Sequence, residues 1–265
     1  MGKIIVIKCG GSMIESLTDE FYESIKNLQT LGYQPVIVHG GGPAINSMLD
    51  KMKIQSEFVN GLRKTTSEVM DVVEMVLSGS IANKLVRQLQ AHGIPSIGIN
   101  GADNGLLYAE AKDKDNLGFV GQITKINKDV INKLLSINMV PVISPIAIGI
   151  DGVDCYNINA DTAAGEIAVA LEAYKLLFVT DVPGVLKDGE MIKDATNKEI
   201  LALIDDGTIY GGMIPKVMAA IQGLEGGMNE AVIVSGKTPL IEGADMLGTI
   251  IRKEVEVEEI YEQSV

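Results

Sequence analysis

Tryptophan is absent from this 265-residue sequence, and aromatic residues together make up only 4% of it. Its core must therefore rest on Ile, Val, Leu, Ala and Met, which the 46% hydrophobic content supplies amply. Cysteine is scarce: Cys9 and Cys155 are the only two. A secreted scaffold held by disulfides would carry more, so reduced thiols are expected. Histidine is limited to His39 and His92, which make no metal cluster in the sequence; His92 reads as a helix-end residue. Positive charge is also in short supply. Lys and Arg number 22 against 35 Asp and Glu, a formal net charge of −13, which argues against a nucleic-acid or anionic-membrane partner. Anionic substrates would have to find their positive field in a few local Lys or Arg groups and a metal ion. No apolar run reaches transmembrane length, and Ile4–Ile7 is too short for a signal-peptide core, so a soluble cytoplasmic protein is expected.

What the sequence does contain is a recurrence of short Val- and Ile-rich runs ending in Gly or small polar residues. These are Lys3–Lys8, Pro35–His39, Pro95–Ile99, Val140–Ser144, Leu176–Thr180 and Ala231–Ser235, and such runs suit strands buried on both faces. Helical patterns lie between them. Phe21, Ile25, Leu28 and Leu31 share one face before Gly32. Val69, Val72, Val73 and Val76 share another, with Thr65 and Glu68 spaced as a capping box, and Leu85 and Leu89 precede a stop at Gly93. The alternation predicts an α/β fold with a mainly parallel sheet. Leu107–Lys112 and Leu117–Ile123 predict a hairpin around the polar turn 113–116. A soft boundary falls near Ala173–Lys175, and the acidic tail Lys253–Val265 reads as a solvated helix or a frayed end.

In parallel α/β sheets, ligands sit beyond the carboxyl ends of the strands. The first strand runs into Lys8-Cys9-Gly10-Gly11-Ser12 and the second into His39-Gly40-Gly41-Gly42-Pro43. Glycines let backbone N–H groups approach an anion, and Pro43 suits the first turn of a following helix. Two such loops beside a Lys that closes a buried run predict a phosphate cradle rather than two plain turns. Other signatures fail. Ser235-Gly236-Lys237-Thr238 mimics the end of a P-loop, but the motif's first Gly would fall at Ala231. There is no G-x-S-x-G elbow, no G-x-G-x-x-G fingerprint, and Asp113–Gly118 lacks the ligands of an EF-hand.

Six segments then line up in order with one family. Lys8-Cys9-Gly10-Gly11-Ser12, Val38–Pro43, Asn60-Gly61-Leu62-Arg63, Asn157-Ile158-Asn159-Ala160-Asp161, Thr180–Val185 and Gly211–Lys216 are similar to acetylglutamate kinases, of the amino-acid-kinase superfamily. These enzymes phosphorylate a side-chain carboxylate in arginine biosynthesis. The resemblance spans nearly the whole chain. It implies a three-layer α/β/α sandwich around a mainly parallel central sheet. A lobe over 1–174 would bind the acyl amino acid and dimerise, and a lobe over 175–265 would bind ATP. The implied substrates are N-acetyl-L-glutamate and ATP, with Mg²⁺ held mainly by the ATP phosphates. By the same resemblance Lys8 and Lys216 stabilise the transferring phosphoryl group and Asp161 positions them. Gly41, Gly42, Arg63 and Asn157 hold the acyl amino acid. Gly10 and Gly11 face phosphate, and Asp181, Gly184, Leu186, Thr208 and Tyr210 belong to the nucleotide stretches. The family's arginine-inhibited members carry an N-terminal helical extension that has no counterpart here, so a homodimer without tight arginine feedback is expected.

Each residue also has a plainer reading. Asp161 precedes the helical run Thr162–Ala173 and suits a helix N-cap. Lys216 alone would pass as a surface Lys, Arg63 as a solvated charge, and Asn157 as a bridge between turn backbone groups. Cys9 replaces a bulkier family residue and reads as a packed strand end rather than a reactive thiol. Rival functions are a related kinase acting on carbamate, glutamate, aspartate or an aminoadipyl substrate, and a non-catalytic sensor of the same fold. Retention of Lys8, Asp161 and Lys216 speaks against the sensor.

Overall fold

The structure, a computed structural model, describes residues 2–243 and 245–254. From residue 255 onward the acidic tail expected over Lys253–Val265 lies outside the described residues. The six apolar runs become strands within two residues of their expected limits: β1 (Lys3–Cys9), β2 (Tyr33–His39), β3 (Ser96–Asn100), β4 (Val140–Ser144), β5 (Lys175–Thr180) and, after the short β6 (Asp194–Thr196), β7 (Glu230–Ser235). With β8 (Thr249–Arg252) they form one eight-stranded sheet in the order β6-β8-β7-β5-β1-β2-β4-β3. Every neighbouring pair is parallel except β7 with β8.

Side chains alternate across a strand, and in β1 they feed two separate cores. Ile5, Ile7 and Cys9 pack with α1 (Asp19–Thr30), α2 (Gly42–Met52), α3 (Ser67–Glu74) and α4 (Ala82–Ala91). Ile4 and Val6 face α5 (Lys128–Ser136), α6 (Ala160–Ala170), α7 (Asn197–Asp205) and α8 (Ile214–Glu225). The result is the α/β/α sandwich. Lys8 belongs to the row of Ile4 and Val6, so alternation alone turns it toward the layer that contains α6. The chain leaves β1 for β2, β4 and β3 on one side, then returns to β5 on the other. The strand order therefore switches between β1 and β5, the position where open α/β sheets bind ligands.

A second, four-stranded sheet runs Cys155–Asn157, Ile146–Gly149, Leu107–Ala111, Gly121–Ile126. The expected hairpin is its last pair, but the return strand begins at Gly121 rather than Leu117. Lys114–Leu117 is one helical turn instead, capped where Asp113 accepts from the backbone N–H of Asn116.

Two other expectations are corrected, and one feature was not foreseen. Thr66, not Thr65, caps α3, accepting from Val69 N at 3.3 Å; Thr65 is fully buried and bonded elsewhere. Leu31 lies past the end of α1 and is 49% exposed, because the helix stops at Thr30 and its buried face is completed by Phe21, Ile25 and Leu28. Met75–Ile81 is a π-helical segment that joins α3 to α4 without a break. No apolar period in the sequence marks such a segment.

Candidate active site

Lys8 is 5% exposed, an uncommon position for an ammonium group without an acid beside it. The acid is Asp161, whose Oδ1 lies 2.7 Å from Lys8 Nζ. The contact is ionic rather than a well-angled hydrogen bond, since Oδ1 makes no hydrogen bond with the described residues. The helix-cap reading of Asp161 fails for a local reason. Asn159 fills the cap of α6 and accepts from the N–H groups of Asp161 and Thr162 at 2.9 and 3.0 Å. Asp161 is thereby left on the first turn of α6, free to face the end of β1.

The two glycine loops meet backbone to backbone. A Cβ on Gly11 would lie 2.5 Å from Gly41 N, 2.7 Å from Gly41 Cα and 2.9 Å from Gly42 N. Gly41 is in turn covered by the π segment, where a Cβ would meet Leu77 and Ile81 at 2.5 and 2.4 Å. Gly41 caps α2 and Pro43 sits in its first turn, so the N-terminus of that helix opens toward the loops. Gly10 is buried, and its N–H points to Val179 O at 3.4 Å; it shapes the turn, while Gly11 lines the cavity. His39, behind this loop, is fully buried. Its Nδ1 lies 3.1 Å from Gly40 O and its Nε2 3.1 Å from Ser144 Oγ. A carbonyl only accepts, so Nδ1 carries the proton and Nε2 accepts from Ser144. Burial pushes the His39 pKa down to about 4, against the opposing effect of the Gly40 bond, and keeps the ring neutral.

These elements enclose a cavity of about 370 Å³ lined by Lys8, Gly11, Gly41, Gly42, Arg63, Asn157 and Asp161 among others. Arg63 ends a tight hairpin (Phe58–Val59 with Leu62–Arg63) whose turn, Asn60-Gly61, has positive φ at both residues. Its guanidinium donates to Ser56 Oγ and Asn46 Oδ1, each at 2.6 Å, and lies 4.6 Å from the centre of the Phe58 ring. Burial lowers its pKa, yet among the described residues it has no carboxylate partner. A buried guanidinium held only by neutral groups is suited to an incoming anion. Asn157 donates from Nδ2 to Thr65 Oγ1 at 3.1 Å.

A second cavity, of about 600 Å³, is lined by Asp181, Gly184, Leu186, Thr208, Tyr210 and Lys216 among others. Tyr210 is 77% exposed at its mouth. Lys216 stands on the first turn of α8 and donates to Gly212 O at 2.8 Å. Its pKa is lowered, first by burial and then by the charge of Lys8, while Asp161 and Asp181 pull it back up. Lys8 and Lys216, far apart in the chain, thus border separate cavities, and the charges of Lys8 and Asp161 both reach Lys216. Cys9, next to Lys8, faces the opposite core; burial raises its thiol pKa to about 12 despite the nearby ammonium, so it is a packing residue.

Several lining residues escaped the sequence reading. Asn46 and Phe58 hold Arg63, and Leu77 reaches the cavity from the π segment. Asn159 was visible in its motif, two residues before Asp161, as an equally good cap.

A parallel sheet with one cavity bordered by Lys8 and another by Lys216, beyond the carboxyl ends of its central strands, is the layout of a small-molecule kinase. The amino acid kinase family model matches residues 3–235, and the chain belongs to that family. An acetylglutamate kinase of Geobacillus thermodenitrificans (strain NG80-2) is 52% identical over 255 residues, covering 96% of this chain and 98% of its own. Another, from Geobacillus stearothermophilus, is 50% identical over 97% of this chain and 99% of its own. Among solved structures, smu.665 from Streptococcus mutans UA159 matches with a TM-score of 0.86 at 35% identity, over 96% of this chain and 100% of that one. A carbamate kinase from Giardia lamblia bound to AMP-PNP matches with a TM-score of 0.71 at 20% identity, over 96% and 99%, a likeness of fold.

Proposed function

We propose that the chain phosphorylates the γ-carboxylate of N-acetyl-L-glutamate with ATP, giving N-acetylglutamyl 5-phosphate and ADP. The observation that carries this is the placing of the charges: Lys8, paired with Asp161, borders the first cavity, and Lys216 borders the second. The acyl amino acid occupies the first cavity, held by Arg63, Asn157, Gly41 and Gly42. The nucleotide occupies the second, against Asp181, Gly184, Leu186, Thr208 and Tyr210. Residues lining the first all precede position 162 and those lining the second all follow position 179, which supports lobes over 1–174 and 175–265. The sheet runs continuously across that boundary through the pairing of β1 with β5. Likeness to the acetylglutamate kinases extends the proposal to a cytoplasmic homodimer; no described helix is long and apolar enough to cross a membrane.

The chemistry follows from charge. A glutamate-type side chain with a pKa of about 4.3 is already ionised at neutral pH, so no general base is required. One carboxylate oxygen attacks the γ-phosphorus of ATP. An acyl–phosphate C–O–P linkage forms, the bond to the β–γ bridging oxygen breaks, and ADP leaves with that electron pair. The obstacle is repulsion between two anions and the negative charge spread over the transferring oxygens. Lys8 and Lys216 oppose that charge from the two cavities, and Asp161 fixes Lys8 before substrate arrives, so little reorganisation is left for the reaction itself. Mg²⁺, held mainly by the ATP phosphates, would offset their charge. Asp181 and Asp188, hard oxygen donors lining the second cavity, would be the side chains to assist the phosphates in holding such an ion.

The test is ADP release by the purified chain with N-acetyl-L-glutamate, carbamate, glutamate, aspartate and an aminoadipyl acid offered separately. Release dependent on N-acetyl-L-glutamate is expected. Turnover of another acceptor in its place overturns the assignment.

A further inference from the structure

Thr65, singled out by the sequence as a cap, has a different role. Its side chain is fully buried between the two residues proposed to hold the acyl amino acid. Its hydroxyl donates to Arg63 O at 2.8 Å and accepts from Asn157 Nδ2 at 3.1 Å. The directions are forced. The hydroxyl has one proton, and the Arg63 carbonyl can only accept it, so the group that Asn157 turns to Thr65 must be its NH₂. The amide of Asn157 is therefore locked in one of its two orientations, with Oδ1 away from Thr65. The backbone braces the same unit. Phe119 N donates to Thr65 O at 2.7 Å, and Asn157 N donates to Phe119 O at 2.8 Å. The close approach depends on Gly118, which sits at φ +66 where a Cβ would lie 2.3 Å from Thr65 O.

We propose that Thr65 is a positioning residue for the acyl-amino-acid site: its hydroxyl fixes the Asn157 amide orientation and ties it to the Arg63 strand. The inference rests on the proposed function. It makes Thr65 matter for one substrate and not for the other. Valine copies the shape of threonine without its hydrogen bonds, and serine keeps the hydroxyl.

The experiment measures kcat and both KM values for Thr65→Val, Thr65→Ser, Asn157→Ala and the double variant Thr65→Val/Asn157→Ala. Thr65→Val removes both hydrogen bonds, and release of the Asn157 amide should raise KM for N-acetyl-L-glutamate about tenfold. KM for ATP should stay within about twofold, and Thr65→Ser should recover most of the loss. In the Asn157→Ala background Thr65→Val should add little, because its partner is already gone. An unchanged KM in Thr65→Val, equal loss for both substrates, or fully additive effects overturns the proposal. A wild-type chain that does not turn over N-acetyl-L-glutamate overturns the substrate assignment itself, and that outcome is read before any variant is made.

Discussion

Substituting Gly11 by Ala tests whether the two glycine loops act as one unit. The added methyl would stand 2.5 Å from Gly41 N and 2.7 Å from Gly41 Cα. Ordinary carbon contacts begin near 3.5 Å, so it intrudes by about 1 Å. The obstructing atoms are backbone, not a side chain that can rotate away, so the loops after β1 and β2 must part by about that distance. Overpacking of this kind costs about 1–3 kcal/mol of stability. The larger effect is on rate, because a displacement of about 1 Å in a reacting pair costs on the order of 10²-fold. The expected result is a fall in kcat of roughly 10²-fold with the protein still folded at 25 °C. Gly79→Ala is the matched control: its Cβ meets nothing within 4 Å, and turnover should be unchanged. The assay is coupled ADP release with thermal unfolding in parallel. Wild-type turnover in Gly11→Ala would show that the loops do not need their backbone contact.

Further outcomes follow from the same geometry. Arg63→Lys should raise KM for the acyl amino acid by about 10- to 100-fold while leaving KM for ATP alone, because Lys cannot copy the forked grip and strands Asn46 and Ser56; equal titration curves for wild type and variant would refute this. His39, neutral in the fold with a pKa near 4 and ordinarily near 6.5, binds fewer protons folded than unfolded between those values. Its contribution is therefore complete above pH 6.5 and is lost as pH falls toward 4, by roughly 3 kcal/mol at most. Urea unfolding of His39→Gln should lack that share of the acid destabilisation, and identical pH slopes would refute it. Lys216 must stay protonated to oppose phosphate charge, and its pKa lies below the usual lysine range. The alkaline limb of kcat/KM, which reports the free enzyme, should thus begin below pH 10.5 and move upward in Lys216→Arg if that variant keeps measurable turnover; a limb that stays put in the active variant would separate Lys216 from the pH profile.

Legibility in the sequence followed the physics of each element. Strands buried on both faces leave continuous apolar runs, so β1, β2, β4, β5 and β7 were readable almost to the residue. The three-residue β6 and the four-residue β8 were not, because their pattern is too short to stand apart from a loop. Asp161 and Asn159 are both good helix caps, and only the fold assigns the cap to Asn159 and leaves Asp161 to Lys8. The same ambiguity misplaced the cap of α3 by one residue, between adjacent threonines. The charge on Arg63 was visible, but not its burial, which depends on Asn46, Ser56 and Phe58 converging from outside its motif. The π segment was hidden because a one-residue widening of a helix leaves the composition of that stretch unaltered.

The most direct test of the account is steady-state ADP release by Lys8→Ala and Lys216→Ala across both substrate concentrations. If the two ammonium groups act chiefly on the phosphoryl group in flight, kcat should fall by about 10²- to 10³-fold in each variant, with KM values shifting only a few-fold. Near-normal kcat in either variant would contradict it.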